Sequence, residues 1–448
     1  MATTFKERGL MPPKDGAVTL GEVDLNYIHI SSADDPAILK YASGGGVIFP
    51  HIMLPETLGL KNKMPSLPLT KTFQSAKQQQ TALPVLNWLD PVGFIKSKVM
   101  ETLGPYIDPA VSAAKKWLEP VKAEDDKISE KVIGCMAWHP HKSLLAIVHK
   151  PTDSILVYDM AADNWYPNML RHEKMTDITS LSWQPNGGLT LAAGCSGGVA
   201  LWRIIPPQRA PWMTLLGCGK ISAVEFDPTG QWLLAGGETL HVWDVALETK
   251  FTIRRSGKVS SLAWSPNGEC AYTRSEHGLR VWDAKDWSCQ VWKERIRCAC
   301  WTSDSQGLFF TTEGGRDIYM LMVHSRVVSI VGTFTNCRND DVLVGGAIDS
   351  IALDPTGNRL ILSFVSGDEA TDPSLLAVYF VHGWELMPGG FIRGPSWGKV
   401  GPKVRFTNPT PTCMTFASQY LQGSLLTIAW ANGKVSFIPM HFATESTQ

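Results

Sequence analysis

One phrase recurs along this chain, and it restricts the fold more than any other feature. It is clearest from Val259 to Asp283, V-S-S-L-A-W-S-P-N-G-E-C-A-Y-T-R-S-E-H-G-L-R-V-W-D. Alternating apolar residues, Val259, Leu262 and Trp264 among them, open it. Ser265-Pro266-Asn267-Gly268 then turns the chain, because Pro presets φ and Asn-Gly tolerates φ > 0. A second apolar run, Cys270 to Thr273, is followed by a polar tip and a third run, Leu279 to Trp282, closed by Asp283. Three short strands joined by two turns predict a meander.

The opening strand and turn return at Ala137 to His141, Ser182 to Gly187, Glu225 to Gly230, Ala263, Cys300, Leu353 to Gly357 and Thr415. The anchors of these seven copies are Trp138, Trp183, Phe226, Trp264, Trp301, Leu353 and Phe416, spaced by 37 to 63 residues. The shorter spacings match the ~40–45 residues of one propeller blade. The longer ones place insertions near Thr333 to Val344 and Gly383 to Lys403. The third strand recurs with Tyr158, Trp202, Trp243 and Trp282. One such sheet cannot bury both faces, whereas blades stacked around an axis can. The expectation is an all-β, seven-bladed β-propeller over residues 131–440, with a short tail at 441–448.

The seventh copy leaves room for three strands, at Cys413 to Phe416, Leu425 to Trp430 and Val435 to Ile438. An unpaired edge there is a liability. A strand from residues 1–30, either Ala17 to Leu20 or Leu25 to Ile30, is therefore expected to complete the last blade. Residues 31–130 read as an irregular extension up to residue 84, followed by short helices. Asp90-Pro91 and Asp108-Pro109 are helix starts, since Asp caps free amides and Pro suits the first helical position. Phe94, Ile95, Val99, Leu103 and Tyr106 form one apolar face, and Trp117 and Leu118 belong to a second. These faces either pack on the propeller or dock a partner or membrane surface.

Composition excludes several function classes. A net charge of -1 gives no basic surface for nucleic acid. Nine scattered cysteines without a C-x-x-C pair read as buried, reduced thiols. The N-terminus does not read as a signal peptide. The uncharged run from Thr407 to Gly433 contains prolines and amides and reads as strands rather than a membrane span. An intracellular protein is expected, soluble or peripherally attached.

No catalytic constellation emerges. Gly194-Cys195-Ser196-Gly197-Gly198 matches G-x-S-x-G, but the flanking residues predict strand-turn-strand instead of the strand-to-helix elbow a nucleophile needs. A hydrolase using Ser196 is the weaker reading. His139 and His141 flank a repeat turn and are too few for zinc. Gly44-Gly45-Gly46 lacks the Lys of a phosphate loop. No enzyme activity, cofactor or metal is expected.

The repeats resemble the WD-repeat family, although the Gly-His pair that usually opens a repeat is missing and the side-chain network built on that pair is not expected. The phrases at Met11 to Leu20, Met136 to His141, Leu262 to Glu269, Val281 to Cys289 and Gly423 to Phe442 are similar to those of WD-repeat nucleoporins. The chain stops soon after Phe442, so functions carried by a long C-terminal tail are not expected. The resemblance implies a non-enzymatic scaffold at the nuclear pore and envelope, held by a multi-pass transmembrane nucleoporin beside other pore scaffold proteins. Any membrane contact would be peripheral or through that partner. It also implies roles in nucleocytoplasmic transport, including protein and mRNA transport, and in spindle assembly. The alternative is a soluble WD-repeat adaptor, for ubiquitin-ligase substrate recognition or a trafficking coat.

Overall fold

The computed structural model describes residues 4–32, 34–43, 45–49, 51–54, 132–204, 212–247, 249–340, 342–365, 371–395 and 409–441. Seven antiparallel meanders follow one another, over residues 133–165, 180–217, 221–253, 261–292, 296–333, 348–393 and 411–441. In the first six, strand order in the sheet follows chain order. The first strand of each meander touches the first strands of both neighbours, and the seventh touches the first. The chain is a closed seven-bladed propeller with these strands innermost.

The turn after each innermost strand shows why its residues recur. Asp227 accepts the Trp232 amide at 2.7 Å and Asp354 accepts the Arg359 amide at 2.6 Å. Ser265 and Thr302 accept the amides of Cys270 and Gly307 at 2.9 and 3.0 Å. A short oxygen-bearing side chain thus clamps the turn from the same position in four blades. Gly230, Gly268 and Gly357 close these turns with φ of 73°, 73° and 79°. In the fifth blade Ser305 takes that role at φ 62°, which explains why no Gly marks the turn there.

The core is a set of clusters shared between neighbouring blades. Tyr272, Leu279 and Val281 of the fourth blade pack with Trp301, Leu308 and Phe310 of the fifth. Ala146, Val148 and Ile155 of the first pack with Trp183, Leu191 and Ala193 of the second.

The seventh sheet draws strands from both ends of the chain. Strand β1 (Val18–Val23) lies beside the last strand, Lys434–His441, in parallel, with Glu22 opposite Met440 and Val23 opposite His441. Strand β2 (Asn26–Ile30) adds outside β1 in antiparallel. Helix α1 (Pro36–Ser43) follows, and β3 (Ile52–Met53) pairs with the other end of the last strand. The stretch after residue 31 is therefore not simply irregular. Gly21 permits the close approach, since a side chain there would meet the Tyr41 hydroxyl and the Pro439 carbonyl.

Two insertion readings also change. The segment after Thr333 folds into its own hairpin, Cys337–Asn339 with Val342–Val344, rather than a plain loop. Within the second expected insertion, Glu385–Arg393 is the nine-residue outer strand of the sixth blade. The helices expected over residues 90–118, with Phe94, Ile95, Val99, Leu103, Tyr106, Trp117 and Leu118, lie outside the described residues.

Candidate interaction surface

Most of the repeat anchors are internal and cannot meet a partner directly. Trp138, Trp183, Phe226, Trp264 and Trp301 are buried, as are Trp202, Trp243 and Trp282. Leu353 and Phe416 are half-buried. The indoles also join blades. Trp183 Nε1 donates to the Ala137 carbonyl at 3.1 Å, and Trp301 Nε1 to the Ala263 carbonyl at 3.0 Å. In both cases the acceptor is the residue before the preceding blade's anchor. Trp138 Nε1 donates to Thr427 Oγ1 at 3.0 Å and so ties the first blade to the seventh.

The third blade carries Glu225 where its neighbours carry small residues. Glu225 accepts the Trp264 amide at 2.8 Å, and burial pushes its carboxyl up to about 8. The Trp264 indole nitrogen is buried without a partner. Elements of a Trp–hydroxyl network persist without the Gly-His pair. Trp282 Nε1 donates to Thr273 Oγ1 at 2.8 Å, and Trp430 Nε1 to Ser436 Oγ at 2.8 Å. Ser436 also bonds His51, a residue of the N-terminal segment, at 3.1 Å.

The motifs weighed for chemistry have structural partners. Ser196 lies in the turn between strands Thr190–Cys195 and Gly198–Arg203, its hydroxyl 2.5 Å from that of Thr176. His139 Nε2 meets the Gly188 carbonyl at 2.8 Å, and His141 Nε2 the Pro185 carbonyl at 2.6 Å. Both imidazoles fasten the first blade's turn to the second's. Among the described residues no three His, Cys, Asp or Glu side chains gather as a metal site. All nine cysteines are free thiols, and burial pushes Cys218, Cys298 and Cys413 up to about 11. Thiols held that high are poor nucleophiles at neutral pH.

The most heavily engaged polar groups belong to a clasp that single-sequence reasoning missed. Glu22 on β1 is fully buried and receives Arg359 at 3.1 and 2.7 Å, a two-pronged pair. The Tyr27 hydroxyl also donates to Glu22, at 2.8 Å. Burial, then the Glu22 charge, holds that phenol well above its ordinary value. Arg393 is buried at 1% exposure and reaches Asp15 at 2.7 Å, Asp372 at 2.6 Å, and the carbonyls of Pro13 and Lys14 at 3.0 Å. Phe5 packs against Phe334, Tyr379 and Phe391. The N-terminal stretch thus straps the hairpin and the sixth and seventh blades. A glutamate inside an apolar run, V-T-L-G-E-V, was the available signal.

What remains for partners is the turns and rims. Leu247 and Leu421 stand at turns, 70% and 89% exposed, and Trp384 at 41%. Val327, Val328 and Ile330 stand exposed on the outer edge of the fifth blade. Among the described residues no helix is long and apolar enough to cross a membrane.

Comparison with known proteins agrees with this architecture. The model of the WD domain, G-beta repeat, matches residues 210–244 and 248–283, on the third and fourth blades. Aladin from Arabidopsis thaliana is 24% identical, over 71% of this chain and 78% of that protein. The β-propeller domain of Cps50 (Swd1) from Myceliophteria thermophila superposes with a TM-score of 0.51 at 14% identity, covering 69% of this chain and 96% of that one. That last likeness is one of fold alone.

Proposed function

Taking the chain as a WD-repeat β-propeller similar to Aladin, we propose that it is a non-enzymatic scaffold subunit of the nuclear pore, acting at the nuclear envelope through protein–protein contacts. The observation that carries this reading is the similarity to Aladin across most of both chains. The closed, stapled propeller supports it physically. A rigid ring presents fixed surfaces and loses little entropy on binding. On this reading the chain aids nucleocytoplasmic transport, with a further role at the spindle. A multi-pass transmembrane nucleoporin is the proposed anchor, and the apolar residues Phe94, Ile95, Leu103 and Trp117 are the proposed contact.

The test is affinity purification of the full chain with quantitative mass spectrometry, beside imaging of a fluorescent fusion. Rim staining and recovery of transmembrane and scaffold nucleoporins are expected. Polar replacement of those four residues should abolish both while the far-UV spectrum stays that of a β protein. Diffuse staining with recovery of ubiquitin-ligase or coat components would instead favour the soluble adaptor.

A further inference from the structure

The seven outer edges of the propeller are protected unequally. The first blade ends in a two-residue strand, Asn164–Trp165. The third carries Lys250 in its outer strand, and the second keeps its two leucines half-buried. The N-terminal strands pack on the sixth and cover the seventh. The fourth ends in a four-residue uncharged strand, Cys289–Trp292, with Val291 48% exposed. The fifth blade carries a longer edge of this kind. Its outer strand, Val327–Thr333, reads V-V-S-I-V-G-T, with no charge along seven residues. Val327, Val328 and Ile330 are 55%, 39% and 59% exposed. A bare β-branched edge of this kind is a template for another strand.

A cleft adjoins the start of that strand. Val328 and Ile330 stand opposite Leu321 and Tyr319, whose side of the sheet packs on the fourth blade. From the fourth blade, Gln290 and Trp292 stand opposite Val281 and Leu279 and face back. Between the two rims opens a cavity of about 290 Å³ that includes Gln290, Lys285, His324 and Arg326. The amide oxygen of Gln290 is buried in it without a donor. Among the described residues Lys285, His324 and Arg326 form no ion pair, and the carboxylates of Asp283 and Glu269 line the same cavity. Asp283 accepts the Lys285 amide at 2.9 Å, and Glu269 accepts Asn267 Nδ2 at 3.0 Å.

We propose that this groove binds an extended peptide of a partner protein. The peptide adds as a strand to Val327–Thr333, sets β-branched side chains against Val328 and Ile330, and seats an acidic residue at Lys285, His324 and Arg326. Main-chain hydrogen bonds supply affinity in this mode, and alternate side chains supply specificity. Lys285 and Arg326, which hold no ion pair among the described residues, meet the peptide's acidic end, and Gln290 accepts one of its N–H groups. A second copy of the chain is the poorer occupant. A seven-residue strand is only about 23 Å long, a narrow contact beside the ~800 Å² per partner of a stable dimer. The proposal goes beyond the scaffold reading and does not depend on the envelope.

The probe is a fluorescein-labelled peptide of alternating Thr and Val with a pair of Asp residues at one end, titrated with the full-length protein by fluorescence anisotropy. Saturable binding is expected, weakened about tenfold or more by Ile330→Lys and separately by Arg326→Glu. Both residues are at the surface, and near-UV circular dichroism checks that each variant is folded. Equal binding of a probe ending in Lys, unchanged binding by folded Ile330→Lys, or no saturable binding to the wild type would each overturn the proposal. So would a concentration-dependent dimer in sedimentation that Ile330→Lys abolishes, since the edge would then belong to a second copy.

Discussion

The arc from the second to the fifth blade and the sector formed by the sixth, the seventh and the N-terminal strap reach the same architecture by different chemistry. In the arc each blade is one uninterrupted meander; indole N–H bonds tie the second and fifth blades to the ones before them, and apolar clusters are shared between neighbours. In the strapped sector the fastening is ionic and comes from far away in the chain: Glu22 meets Arg359 across 337 positions and Arg393 meets Asp15 across 378. A repeated unit can close most of a ring through local packing. At the seam, ion pairs between named residues add a specific fastening to the buried faces of β1.

The contrast can be broken at the seam with the largest effect. Arg393→Ala removes a buried guanidinium from Asp372 and from the Pro13 and Lys14 carbonyls. It is expected to cost about 3–5 kcal/mol in urea denaturation. In the arc, removing the exposed partner of Lys220–Asp177, a 2.7 Å pair on the surface, should cost about 0–1 kcal/mol. Equal losses for Arg393→Ala and Lys220→Ala would mean that the seam is no more dependent on charge than the arc.

The indole staples give a finer comparison within the arc. Trp301→Phe removes the bond to Ala263, while Trp264→Phe removes an N–H that has no partner. Both variants lose the same ring area, so Trp301→Phe should be less stable than Trp264→Phe by about 1 kcal/mol. A difference near zero would assign the anchors to packing alone.

The pH dependence should have opposite signs in the two regions. Burial, and then Arg393, holds His29 down to about 4, and burial holds His51 down to about 3. Their folded values lie below the ordinary one, so their contribution is present above about 6.5 and is lost as pH falls through 4 to 3. Glu225 is raised to about 8. Its contribution is complete below the ordinary carboxylate value of about 4.3 and is lost as pH rises through 8. Denaturation midpoints should therefore fall at both ends, and Glu225→Gln should flatten the alkaline limb alone. An alkaline limb that survives this substitution would remove Glu225 as its cause.

Much of this was legible in the sequence, for a physical reason. Trp138, Trp183, Trp264 and Trp301 stand beside their own turns, so strand, turn and core position are all encoded within a dozen residues. The unfinished seventh blade announced its need for a distant strand by leaving no room for a fourth. The partner of that strand could be inferred, but its parallel direction could not, since β1 pairs through main-chain groups that any sequence offers. The clasp was illegible because nothing near Glu22 or Arg359 specifies the other. The apolar helix faces expected from Phe94 to Leu118 rest on the Asp-Pro starts in the sequence and lie outside the described residues.

The pairing of β1 with the last strand also sets an order of events during synthesis. Tyr27 and Met440, which touch in the finished seam, lie 413 positions apart. At roughly 5–20 residues per second, the first strand waits roughly 20–80 s for its neighbour to leave the ribosome. Through that interval the nascent chain carries Phe5, Val18, Leu20 and Glu22 uncovered, all buried in the native ring. The ring therefore cannot close before its last strand, Lys434–His441, has emerged.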